Sequence, residues 1–76
     1  MTSFKTLDIR GLSFFNGFER TSKEFTKIKK NGVLELILDQ RKNFTDAFKT
    51  WAKSKGHKIS DMDVDHQMVR LFIKKK

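Results

Sequence analysis

The chain contains no cysteine and no proline. Without cysteine, its side chains have no thiol, persulfide or disulfide chemistry, and no disulfide can staple the fold. That absence is compatible with a reducing compartment, and a soluble, cytoplasmic protein is the expectation. Without proline the usual breakers of helices and strands are missing, so Gly and Asn must punctuate the chain. Long apolar runs are lacking too. The longest is a few residues, far below the roughly 20 that span a bilayer, and no membrane association is expected. Carboxylates are scarce beside cations: 9 Asp plus Glu against 17 Lys plus Arg leave a net charge of +8. Such an excess favours acidic partners, or serves as a lysine-rich solvated surface that keeps a small protein soluble.

What is present suits one small domain over residues 1–76, with no room for a second core. Eight Phe, one Trp and a spread of Leu, Ile and Val must do the stabilising. The resulting stability is expected to be on the order of 5 kcal/mol. Gly11, Asn16-Gly17, Asn31-Gly32 and Gly56 divide the chain into segments. Phe4 to Ile9 alternates in part and reads as a strand. From Asn16 to Lys30 the pattern turns helical: Phe18, Phe25 and Ile28, with Thr21 or Ser22 filling the gap, recur at three- and four-residue steps. Asn16 and Glu19 stand at capping-box spacing, and Asn31-Gly32 is an αL stop with Lys29 and Lys30 well placed against the helix dipole.

Val33 to Leu38 is almost continuously apolar, which predicts a strand covered on both faces or central in a sheet. Phe44, Ala47, Phe48, Trp51 and Ala52 form the clearest helical stripe. Asn43 is its expected cap, Asp46 the matching acid, and Gly56 its end. His57 to Val64 and Met68 to Lys74, separated by a polar turn near Asp65-His66-Gln67, read as two antiparallel strands. The order β-α-β-α-β-β, with right-handed crossovers, predicts an α+β fold. Its form is a two-layer α/β sandwich, a mixed four-stranded sheet with both helices on one face and the other face mostly exposed.

The segment Leu7-Asp8-Ile9-Arg10-Gly11-Leu12-Ser13 resembles the opening of the TusA/SirA-like (YedF/YhhP-like) sulfur-carrier family, whose members begin Leu-Asp-x-x-Gly-Leu-x and continue with Cys-Pro-x-Pro. The similarity extends through Gly32 before the apolar strand, Asp39 at its end, Asp46 in the second helix and Gly56-His57-Lys58-Ile59, so that about 68 residues fit without a large gap. The family's fold has the element order derived above. In that family the cysteine sits at a strand-to-helix junction, where the helix N-terminus favours the anionic sulfur. Here Phe14-Phe15-Asn16-Gly17 stands in place of Cys-Pro-x-Pro. The resemblance therefore implies the scaffold, and the replacement withdraws the family's activity from it. A non-enzyme is expected, with no catalytic residue and no cofactor.

Each candidate residue has a functional and a structural reading. Ser13 lacks a base nearby in sequence and reads as a turn or capping hydroxyl. Phe14 and Phe15, on a loop if the helix starts at Asn16, are either docking residues or a lid tucked over the core. With Arg10, Asn16 and Gly17 they form the expected protein-binding rim, where family members meet their partners; Asp8, Arg10 and Gly11 would shape the loop. Arg20, Lys23, Lys27 and Lys30 make a basic stripe, joined by Arg41, Lys42, Lys49, Lys53 and the Lys74-Lys75-Lys76 tail. That surface is either a solvated face or a grip on RNA or DNA phosphates. The related fold of the C-terminal domain of bacterial translation initiation factor three works on RNA, an analogy of fold alone. Against nucleic acid, the aromatics fall on core stripes and leave no stacking platform. His57 and His66 lack metal-ligand spacing, so no metal site is expected. The sequence thus points first to a monomeric, non-catalytic TusA/SirA-like protein-binding or regulatory module, possible roles being sulfur trafficking and redox regulation. A small basic nucleic-acid-binding domain is the alternative.

Overall fold

The computed structural model describes residues 3–40 and 44–76. Strand β1 spans Phe4–Asp8, helix α1 Phe14–Lys27, β2 Val33–Asp39, α2 Thr45–Ser54, β3 Lys58–Val64 and β4 Met68–Lys74. The order is β-α-β-α-β-β, as the punctuation predicts. The strands form one mixed sheet in the order β1-β2-β4-β3. β1 pairs parallel to β2, while β4 runs antiparallel to both β2 and β3.

β2 is central, and strict alternation decides its two faces. Leu34, Leu36 and Leu38 are buried, whereas Val33, Glu35, Ile37 and Asp39 are only half-buried. Its near-continuous apolar run therefore reflects a central place in the sheet rather than cover on both faces. Across β4 the same face carries Val69, Leu71 and Ile73, all buried. Phe25, Ile28 and Thr21 of the α1 segment and Phe48 and Ala52 of α2 are buried with these residues, forming a single core under both helices. Each fully buried Leu contributes about 1.5–3 kcal/mol. Thr21 fills the gap in the α1 stripe, and its hydroxyl donates to the Gly17 carbonyl at 2.8 Å, so its burial leaves no unpaired donor.

Two helix boundaries differ from those expected. α1 starts at Phe14, and its cap is Ser13, whose Oγ accepts the Asn16 N–H at 3.2 Å. Ser and Asn are both good caps, so the local signal is ambiguous, and aromatic packing at Phe14 accompanies the earlier start. At the other end the backbone turns extended at Ile28, which leaves Lys29 and Lys30 beyond the helix. Asn31, at φ 69°, supplies the left-handed residue before β2. α2 begins after Phe44, which makes no side-chain capping bond; the expected cap Asn43 lies outside the described residues. Ala47 faces solvent rather than the core. Phe48 and Ala52, one turn apart, carry the buried stripe, with Phe44 and Trp51 half-buried beside them.

Candidate functional site

The β1–α1 junction is built by two carboxylates that hold the chain in a tight turn. Asp8 Oδ1 accepts the backbone N–H of Arg10 at 3.0 Å, and its carboxylate receives Nε and Nη2 of the same arginine at 3.0 and 2.8 Å. The Arg10 side chain holds the Asp8 carboxyl below its ordinary range. The exposed pair adds little stability by itself. One residue on, Gly11 takes φ +84°, a conformation that costs a side-chain-bearing residue about 1 kcal/mol or more. Its N–H donates to Asp39 Oδ2 at 2.9 Å, which ties the turn to the end of β2. Ile9, 3% exposed, plugs into the core between these two contacts.

From this turn the chain enters α1, and the five expected rim residues take different fates. Phe14 is on the first turn of the helix, not on a loop. Its ring packs 5.1 Å from Phe44, 5.5 Å from Phe48 and 6.0 Å from Phe18, centroid to centroid, leaving it 38% exposed. Phe15 points to solvent and is 72% exposed. Asn16 is exposed as well. Gly17 is buried, and a Cβ there would meet Ile9 Cδ1 at 3.0 Å. It is a point of close helix–strand approach, placed inward against Ile9 rather than on the exposed rim. Arg10 is turned back on Asp8, with Nη1 3.8 Å from the Met68 sulfur of β4. The outward-facing set at the start of α1 is therefore Phe15, Asn16 and the uncovered edge of Phe14.

The basic stripe is likewise divided. Lys23 pairs with Glu19 at 3.4 Å and Lys27 with Glu24 at 3.4 Å, while Glu24 also receives Lys5 of β1 at 2.8 Å. The Lys5 ammonium, with Lys27 behind it, holds Glu24 below its ordinary range against the opposing effect of burial. Arg20 has no ion-pair partner among the described residues. Lys30 lies beyond the helix end. Arg20, Lys23, Glu24 and Lys27 line, together with Leu7 of β1, a surface pocket of about 170 Å³ between α1 and the sheet edge. Sequence reasoning missed this pocket, because it depends on β1 lying at the edge.

One cation of the C-terminal tail, Lys75, is engaged by the fold, while Lys74 and Lys76 are exposed. Lys75 Nζ donates to the carbonyls of Phe25 and Ile28 at 3.1 and 2.8 Å, and lies 5.5 Å from the Phe25 ring centroid. It is an end cap for α1, not a free cation. His57 packs edge-on to Phe25 at 4.6 Å, and its Nδ1 accepts the Lys76 N–H at 3.2 Å. Burial, then the charges of Lys75 and Lys55, lower its pKa, which favours the neutral ring.

Among the described residues no three His, Cys, Asp or Glu side chains gather as a metal site, and no helix is long and apolar enough to cross a membrane. No family model, curated protein or solved structure matches the chain.

Proposed function

We propose that the chain is a non-catalytic TusA/SirA-like module that binds a protein partner through the N-terminal turn of α1. The observation that carries this reading is Phe15, a large aromatic side chain left 72% exposed on that turn. Aromatic anchors of this kind are enriched among residues that dominate binding energy. Two features support the reading. The backbone beneath Phe15 is held from two sides, by Asp8 on the Arg10 N–H and by Asp39 on the Gly11 N–H. The ring is thus presented on a fixed support, which lowers the ordering cost of binding. The position at which the family resemblance places its cysteine is Phe14, which has neither nucleophile nor charge, so the module acts by contact rather than by sulfur transfer.

Affinity capture from the native cell tests this. Wild-type protein is expected to retain a defined partner that Phe15→Ala loses; capture unchanged by that substitution overturns the reading. Phe15 alone is the residue to replace, since Phe14 is also part of the fold. The nucleic-acid alternative rests on the cations of α1, two of which are already paired with carboxylates. Binding of single-stranded RNA at low salt, weakening steeply as salt rises, would favour it.

A further inference from the structure

The sheet has two edges, and they are not alike. β3 is interrupted by a bulge between Ile59 and Asp61 and carries Asp61 and Asp63. Bulges and charges are features that discourage another strand from pairing. β1 is regular through all five residues of its register with β2. In that parallel ladder Ser3 accepts the Val33 N–H and Ile9 donates to the Ile37 carbonyl. Alternation then turns Lys5 and Leu7 to β2 as well, and aims the N–H and C=O of Phe4, Thr6 and Asp8 out along the open edge. A peptide chain laid there finds a repeating set of main-chain partners about 4.8 Å away.

Beside this edge, on the helix side, lies the pocket floored by Leu7 and walled by Arg20, Lys23 and Lys27. Lys5 reaches across its mouth to Glu24. Four cations thus surround one carboxylate, with Glu19 on the neighbouring turn pairing Lys23, and Arg20 is left unpaired among the described residues. Every second side chain of a strand added to β1 would face this groove, as Lys5 and Leu7 do. Positive charge in excess, set beside a strand edge that has no bulge and whose own charges, Lys5 and Asp8, are already paired with Glu24 and Arg10, matches one kind of occupant.

We infer that the β1–α1 groove is a docking site for an extended peptide with acidic side chains at alternate positions, which adds to β1 as a fifth strand and places a carboxylate against Arg20. A second copy of the chain fits poorly: paired through β1, it would bring the same four cations against their equivalents. The site is separate from the α1 N-terminal turn, so either can fail without the other.

The test is titration of the full chain with a fluorescein-labelled eight-residue peptide alternating Glu and Thr, with the Lys–Thr counterpart as control. The Glu–Thr peptide is expected to bind and the Lys–Thr peptide to fail. Arg20→Glu, at an exposed position, is expected to weaken binding about tenfold or more. Thr6→Pro removes an outward N–H and leaves the main-chain ladder to β2, losing only the exposed side-chain bond to Glu35; it is also expected to weaken binding while the fold, read by circular dichroism, persists. On binding, the amides of Phe4, Thr6 and Asp8 should gain protection from hydrogen exchange. No binding at millimolar peptide and low salt, binding indifferent to Arg20→Glu, or protection elsewhere overturns the inference. So does self-association of the free chain that buries these amides, which would make a second copy the occupant.

Discussion

The ammonium of Lys75 lies 2.8 Å from the carbonyl oxygen of Ile28, across 47 residues of sequence. A helix leaves its last carbonyls without intrahelical donors, and a cation at that end both satisfies them and meets the negative end of the dipole. The same ammonium reaches Phe25 O, while the Lys75 backbone exchanges bonds with Gly32 and Asn31. The last residues are thus stitched to the α1–β2 turn.

Replacing Lys75 by Met keeps the aliphatic stem and deletes the charge. It is expected to cost about 1–2 kcal/mol. The neighbouring Lys74 is exposed at the end of β4, and Lys74→Met should be nearly silent. Urea unfolding of the two variants checks the contrast; equal midpoints would make Lys75 an ordinary surface lysine.

Phe14 and Phe15 are adjacent in sequence and opposite in role. Phe14 sits in an aromatic cluster with Phe18, Phe44 and Phe48. Phe14→Ala is expected to lower stability by about 2 kcal/mol, less than a fully buried Phe would cost. Phe15→Ala should change stability by less than about 0.5 kcal/mol. Thermal melts of the two proteins separate these outcomes.

The element order was legible because Gly and Asn punctuate most of a proline-free chain and the polar Asp65-His66-Gln67 separates the last two strands. Leu34, Leu36 and Leu38 also announce a central strand, although the run does not reveal that one face stays half open. The start of α1 was not legible. Ser13 and Asn16 are both competent caps, and the choice is bound up with Phe14 packing on Phe44 and Phe48, more than 29 residues away in the chain. The same holds for the candidate sites. Nothing local marks Gly17 as buried, Lys75 as a helix cap, or Arg20 as the unpaired cation of a groove, because each depends on which strand lies at the edge and which residues cross the sheet.

His57 carries a pH-dependent contribution to stability. Its pKa is lowered in the folded protein from an ordinary value of 6.5, so the unfolded chain takes up the proton more readily. Stability is therefore unaffected by this group well above that value and falls as pH drops below it, until the folded-state pKa is passed. Urea midpoints for wild type should decrease between pH 7.5 and 5.5, and His57→Asn should remove much of that slope. An identical slope in the variant would assign it to other groups.

Binding through the N-terminal turn of α1 is tested most directly by quantitative affinity capture with wild type, Phe15→Ala and Arg20→Glu side by side. The first should retain a defined protein partner, Phe15→Ala should lose it by tenfold or more, and Arg20→Glu should keep it. Equal recovery of that partner by wild type and Phe15→Ala would contradict the account.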